Sequence, residues 1–192
     1  MSNIAKTDNS NEPGKAAMRS KYLPREARVL DCFCGNGGMY RSAYMGEVDE
    51  YFGLDKQKVH DNNICALVDN RKYIKENDIS RFNVFDLDDY GTPWKLFYSI
   101  LKKITAGDYT FYMTDGLVLH QKLDGKPSKF VSALEHVSPD TRLNGLNRYY
   151  LEIFGTMLKD VERRFNAKIY KTVYFHNDRR TVYYWTIKLK KN

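Results

Sequence analysis

Four short apolar runs in this chain each lead into an acid. They are Val29-Leu30-Asp31, Tyr51-Phe52-Gly53-Leu54-Asp55, Val84-Phe85-Asp86-Leu87-Asp88 and Phe111-Tyr112-Met113-Thr114-Asp115. The first is followed at once by Cys32-Phe33-Cys34-Gly35-Asn36-Gly37-Gly38. A strand, a tight glycine turn and a helix start form the arrangement by which open α/β sheets take nucleotide-like ligands. Glycines at 35, 37 and 38 let the backbone bend sharply and let a ligand come close, because no Cβ intervenes. An acid ending the second strand suits ribose hydroxyls, which assigns that role to Asp55. Asp31, at the lip of the turn, would repel a pyrophosphate and attract a ligand that carries an ammonium and a sulfonium. Four acids on one rim are hard to explain as packing, and ligands in such sheets lie at the carboxyl ends of the strands.

Strands and helices must alternate to carry those acids to one edge, and the patterning predicts that they do. A short helix is expected over Ala16 to Tyr22, a strand over Ala27 to Phe33, a helix near Gly38 to Met45 and a second strand over Tyr51 to Asp55. Residues from about His60 to Glu76 carry Ile64, Leu67, Val68 and Tyr73 at near-helical spacing. A strand from Arg81 runs into a turn marked by Gly91 and Pro93. Trp94 to Ile104 then places Leu96, Phe97, Ile100, Leu101 and Ile104 on one stripe, with Gly107 as its C′ residue. Tyr109 to Thr114 is a further strand, and Leu143 to Asn166 a long helix. Ala167 to His176 and Thr181 to Lys190 flank Asn177-Asp178-Arg179-Arg180 and read as a terminal hairpin. The expected fold is therefore a mostly parallel α/β sheet closed by a C-terminal antiparallel β-hairpin.

The 192 residues suit one domain, with residues 1–20 as a flexible tail and 117–141 as an insertion loop. Three cysteines make a disulfide framework and a four-ligand zinc site improbable, so a reducing cytoplasm is the default. No apolar run approaches the length of a membrane span. The net charge of +7 is uneven: residues 1–100 hold 14 Lys and Arg against 15 Asp and Glu, residues 101–192 hold 17 against 9. A basic, aromatic second half points to a polyanionic partner, nucleic acid above all.

The stretch Val29-Leu30-Asp31-Cys32-Phe33-Cys34-Gly35-Asn36-Gly37-Gly38, with Asp55, resembles the first motif of the class I S-adenosylmethionine-dependent methyltransferases. The resemblance runs from about Tyr22 to Lys190 and implies a Rossmann-like sheet and that cofactor. It places Asp31 near the methionine ammonium, gives room at Gly35 and Gly37, and puts Asp55 on the ribose. Phe33 and Lys56 complete the expected cofactor-binding set. Asp86-Leu87-Asp88-Asp89-Tyr90-Gly91-Thr92-Pro93 is similar to the Asp-Pro-Phe-Gly-type fourth motif of tRNA guanine-N2 methyltransferases. It is also similar to the Asp-Pro-Pro-Tyr motif of DNA and RNA amino-methyltransferases. By that resemblance Asp88, with Asp86 beside it, orients a target amine and Tyr90 stacks on the base. Asp89 departs from the pattern, standing where those families have proline. A second register stays open, in which the Phe82 segment is the third strand and Thr114-Asp115-Gly116 is the catalytic motif. The first register is preferred, and it requires a short or lost third strand between Val59 and Arg81.

Methyl transfer from a sulfonium needs position and electrostatics from the protein and no activated nucleophile. Cys32 and Cys34 are accordingly read as small buried residues. His120, His136 and His176 lack metal spacing, and no metal is expected. Lys122, Lys126 and Lys129 in the insertion and Arg179 and Arg180 in the hairpin turn are the phosphate candidates. The leading expectation is transfer of a methyl group to a base amine, with a possible protein partner for specificity. The alternatives are a small-molecule or protein acceptor, or an inactive methyltransferase-fold binding module.

Overall fold

The computed structural model describes residues 11–56, 64–89, 91–116 and 143–192. Its strands are β1 (Arg28–Asp31), β2 (Glu50–Asp55), β3 (Cys65–Leu67), β4 (Val84–Leu87), β5 (Gly107–Asp115), β6 (Ala167–His176) and β7 (Tyr183–Lys191). They form one sheet in the order β3-β2-β1-β4-β5-β7-β6. The first five are parallel, and β7 inserts antiparallel between β5 and β6. The strand order reverses between β1 and β4, the switch point where a parallel sheet opens a crevice. The expected parallel sheet with its closing hairpin is the fold observed.

Helices cover both faces because successive strand residues point to opposite sides. One face of the sheet packs Leu30, Leu54, Phe85, Phe111, Ile187 and Leu189 against α2 (Asn70–Glu76), α3 (Trp94–Lys103) and α4 (Leu143–Phe165). The stripe read from the sequence is the buried side of α3: Leu96, Phe97, Ile100 and Leu101 are all in the core. Its C-terminal carbonyls are not closed by Gly107, which instead opens β5. Lys191 Nζ donates to Leu101 O and Ile104 O, so a cation meets the negative end of the helix. The other face buries Val29, Val84 and Tyr112 under α1 (Glu12–Tyr22) and a five-residue π-wound turn, Tyr40–Tyr44.

Three expectations are corrected. Residues 12–17 are helical rather than part of a tail. Pro13 fits the first turn of α1, and its Lys15 and Arg19 are buried against acids of the sheet. The near-helical pattern from His60 hides a strand, β3, followed by a seven-residue helix whose N-cap Asp69 accepts from the Lys72 N–H. This three-residue β3 pairs with Gly53–Asp55 and is the short third strand that the preferred register requires. Cys34 and Cys65 form a disulfide, with Cα atoms 6.3 Å apart. A cysteine count argues against a framework and says nothing of one local bridge. That bridge depends on Gly53: a Cβ there would come within 2.8 Å of the Cys34 Cβ. Cys32 is the buried free thiol.

Candidate active site

The glycine turn is shaped by its own backbone. Gly35 and Gly37 have φ of 49° and 73°, the left-handed region that glycine occupies without cost. Cys34 N–H donates to Leu54 O and Gly37 N–H to Cys34 O, so the turn leans on β2 and folds back on itself. Gly35 N–H donates to Asp55 Oδ2 at 3.0 Å, which brings the acid ending β2 directly beside the turn. Among the described residues a Cβ on Gly35 would meet nothing within 4 Å, so none of them covers the turn at that point. Asn70, at the start of α2, anchors the floor through Nδ2 to Cys32 O.

The acids at the strand ends divide into two kinds. Asp31, Asp86 and Asp115 are 1%, 0% and 0% exposed and have partners inside the protein. Asp31 accepts from Phe33 N–H and the Tyr51 hydroxyl. Asp86, next to it across the β1–β4 pair, is gripped by the Arg19 guanidinium at 2.5 and 2.6 Å and by the Tyr44 hydroxyl. Asp115 accepts from Trp94 Nε1 and the Tyr150 hydroxyl, which in turn accepts from Trp185 Nε1. Packing therefore does explain three of these acids, against the expectation from sequence. Asp31 does not stand at an open lip. Burial and the charge of Asp86 push its carboxyl up to about 8.

Asp88 is different. It lies just past β4, its side chain 17% exposed. Lys15 Nζ donates to Oδ2 at 2.6 Å and Thr114 Oγ1 donates to Oδ1 at 2.5 Å. Burial pushes this carboxyl up, but Arg19 and Lys15 outweigh it and hold the group below its ordinary value. The result is a persistent carboxylate with lone pairs to spare, oriented from two sides. Gly116 N–H donates to Gly91 O at 2.7 Å, which ties the segment after β4 to the end of β5. Asp89 is partly buried beside it.

The structure thus brings Asp31, Phe33, Gly35, Gly37 and Asp55 together around the turn, with Lys56 exposed at the end of β2. It brings Asp86 and Asp88 to the adjacent strand end. Arg179 and Arg180 are exposed in the hairpin turn, whose form is set by the Asn177 side chain accepting from Thr181 N–H. Tyr90, His120, Lys122, Lys126, Lys129 and His136 lie outside the described residues. Among the described residues no cluster of His, Cys, Asp and Glu could hold a metal ion. Sequence reasoning missed Lys15, Arg19, Tyr44 and Tyr51, and named Thr114 only within the alternative motif Thr114-Asp115-Gly116. The two cations stand four apart and so share a helix face, but nothing in the sequence marks the acids, 73 and 67 residues away, that they meet.

Comparison with solved structures shows what this fold is. The chain matches the M. jannaschii tRNA m1G37 methyltransferase with a TM-score of 0.55 at 13% identity, over 95% of this chain and 49% of that one. It matches M. jannaschii TYW2 in complex with AdoMet with a TM-score of 0.59 at 7% identity, over 98% of this chain and 80% of that one. It matches the plantazolicin methyltransferase BpumL, in complex with a monoazolic desmethylPZN analog and SAH, with a TM-score of 0.54 at 14% identity. That match covers 95% of this chain and 83% of the other. The chain spans about half the length of the first of these. No protein-family model matches the chain, and neither does any curated sequence. The fold is that of the class I S-adenosylmethionine-dependent methyltransferases.

Proposed function

We propose that this protein is an S-adenosylmethionine-dependent methyltransferase that acts on an amino group of a nucleic-acid base, with Asp88 at the acceptor position. The observation that carries the reading is the place of Asp88. It follows β4 at the switch point of the sheet, one strand away from the glycine turn, and is held as a carboxylate by Lys15 and Thr114.

The turn fits the cofactor. Among the described residues space is open over Gly35, while the Arg41, Ile64 and Glu12 side chains crowd Gly37 and Gly38, and the Asp55 carboxylate beside Gly35 is the proposed acceptor for ribose hydroxyls. When bound, that group supplies an electrophilic methyl on a positively charged sulfur. The protein's own residues do the rest. Asp88 accepts an N–H of the target amine and so fixes the nitrogen and its lone pair. As the nitrogen gains positive charge, the carboxylate stabilises it in a partly desolvated setting. A carboxyl held below its ordinary value is a weak base, so orientation and charge are its contribution, and the proton passes on to solvent. Asp31 shapes the turn through Phe33 N–H, and Asp86 locks α1 through Arg19. Tyr90 is the proposed stacking partner for the base. Lys122, Lys126, Lys129, Arg179 and Arg180 are proposed phosphate contacts, in keeping with the basic second half. Two solved neighbours, the tRNA m1G37 methyltransferase and aTrm5 in complex with a tRNA, support a nucleic-acid acceptor.

A second reading is a small-molecule acceptor. It is favoured by the plantazolicin methyltransferase among the neighbours and by Asp89 standing in place of proline, which leaves the acceptor turn less stiff. Calorimetry with S-adenosylmethionine and transfer of labelled methyl to RNA, DNA and small-molecule extracts separate the readings. Wild type is expected to bind the cofactor, Asp55→Ala to bind it at least about tenfold more weakly, and label to enter nucleic acid. Label found only in small molecules moves the assignment to the second reading. Cofactor affinity untouched in Asp55→Ala refutes the site.

A further inference from the structure

On the helical face away from α1, α2 and α3 lie side by side and enclose a groove of about 420 Å³. Arg71 and Lys75 line it from α2, and Lys95 and Lys102 from α3. Its floor is apolar, made by Ile74 and Leu96. No acid lines it. Lys103 at its foot is already used: Nζ donates to Lys75 O and Asn77 O and closes the C-terminus of α2. The other four cations are exposed.

This arrangement costs the fold something. Arg71 and Lys75 stand four apart on one helix face, where like charges repel. Across the groove Lys95 and Lys102 add two more positive charges, and among the described residues no counter-charge stands between the walls. A groove walled by cations over an apolar floor complements a strand that carries phosphates outside and flat apolar faces inside. Its position adds to that. Arg71 and Lys95 sit in the first turns of their helices, so the groove opens at the rim. Lys95 is only seven residues beyond Asp88, on the helix that directly follows the acceptor turn. From Lys95 to Lys102 the wall runs about 10 Å along the helix, a length over which one strand of a duplex presents about three phosphates.

We propose that the groove between α2 and α3 binds the sugar–phosphate backbone of the nucleic-acid substrate beside the target nucleotide. The proposal rests on the reading of Asp88 as the residue that receives a base amine. These contacts hold the strand in register and read no sequence. The charge arithmetic of the two halves of the chain concealed the groove: Arg71, Lys75 and Lys95 come from the half that sums to −1. The acids that cancel them include the buried Asp31 and Asp86.

The test uses the full chain and a pair of double variants with the same change in net charge. Lys95→Glu with Lys102→Glu alters the groove, and Lys168→Glu with Lys190→Glu alters the exposed hairpin at the other edge of the sheet. Binding of a labelled single-stranded RNA, and of the DNA of the same sequence, is followed by anisotropy across a KCl series, with cofactor affinity measured alongside. The groove pair is expected to lower affinity at least about tenfold. It should also make the dependence of log affinity on log salt shallower by about 1.4, the value for two lost contacts to a single strand. The hairpin pair is expected to cost less than about threefold, and both pairs to keep wild-type cofactor affinity. Equal losses from the two pairs would show a general charge effect and overturn the groove. Wild-type RNA binding by the groove pair would do the same and leave the acceptor reading standing. Wild type that binds cofactor but neither RNA nor DNA refutes the acceptor reading, and this proposal with it. Binding of poly-glutamate by wild type that the groove pair loses, with no loss of RNA binding in that pair, would assign the groove to an acidic protein segment instead.

Discussion

Asp31 and Asp88 show how far neighbours decide what a carboxylate does. Asp31 is shut in beside Asp86 and receives only an N–H and a hydroxyl, so its folded-state value rises to about 8 from an unfolded value of about 3.9. Between these values the folded state holds a proton that the unfolded state has released. Stability from this group is therefore complete below about pH 4 and is lost as pH rises through 8. Asp31→Asn mimics the protonated acid, so its melting temperature should gain on that of wild type from pH 5 to about pH 8 and the gap should level off above that. A gap that stays constant with pH contradicts this account of Asp31. Asp88 runs the other way. Arg19 and Lys15 hold it below its ordinary value, so its contribution is present above the unfolded value and disappears as pH falls through the folded one. Lys15→Met should move the acid limb of kcat/KM to higher pH, and Lys15→Arg should return it toward wild type. A Met variant that loses stability but keeps the limb in place would make Lys15 a packing residue only. Little of this was legible in the sequence. Asp31, Asp55, Asp88 and Asp115 all end apolar runs and look alike there, and only the partners that the fold brings to each distinguish one from another.

At the level of elements, α1 and β3 carry the surprises. Composition made residues 12–17 look like a tail, because Lys15 and Arg19 count as solvated charges until their partners are known. In the fold they neutralise Asp86 and Asp88 from above the sheet. Arg19→Met would leave Asp86 buried without its counter-ion, at a cost of about 3–5 kcal/mol in urea unfolding. Pairing it with Asp86→Asn should recover much of the loss, and a double variant no better than the single one argues against the ion pair as the cause. The element β3 was illegible for a different reason. Three residues are too few to show alternation, and Leu67 and Val68 happen to match the helical spacing of α2. The Cys34–Cys65 bridge it carries ties the glycine turn to the sheet edge across 31 residues of sequence. Chain entropy alone gives such a bridge about 3–4 kcal/mol. Reductant should lower the unfolding midpoint of wild type and leave Cys34→Ala with Cys65→Ala unchanged. Equal response of the two proteins removes the disulfide from the account. The longer elements were plain: α3, α4 and the hairpin announced themselves through periods sustained over ten residues or more.

Across the whole molecule, charge is sorted by depth. Asp31, Asp86 and Asp115 are sealed into the sheet end, while many cations, those of the α2–α3 groove and of the hairpin among them, face solvent. A formal charge of +7 therefore understates how positive the surface is to an approaching polyanion. The parallel order and the switch point could be foreseen from alternating periods, because topology rules leave few other ways to bury both faces. The division of the rim into structural and exposed acids could not, since it depends on which side chains arrive from α1, α3 and α4. On that division rests the claim that Asp88 receives the acceptor. Its most direct test is to incubate wild type, Asp88→Ala and Asp115→Asn with isotope-labelled S-adenosylmethionine and nucleic acid, digest to nucleosides and identify the labelled product by mass spectrometry. The account predicts a nucleoside methylated on its exocyclic amine from wild type, the same product from Asp115→Asn once matched for folded protein, and a loss of about 100-fold or more from Asp88→Ala. Undiminished product from Asp88→Ala, or a methyl group found only on ribose or ring carbon, would contradict it.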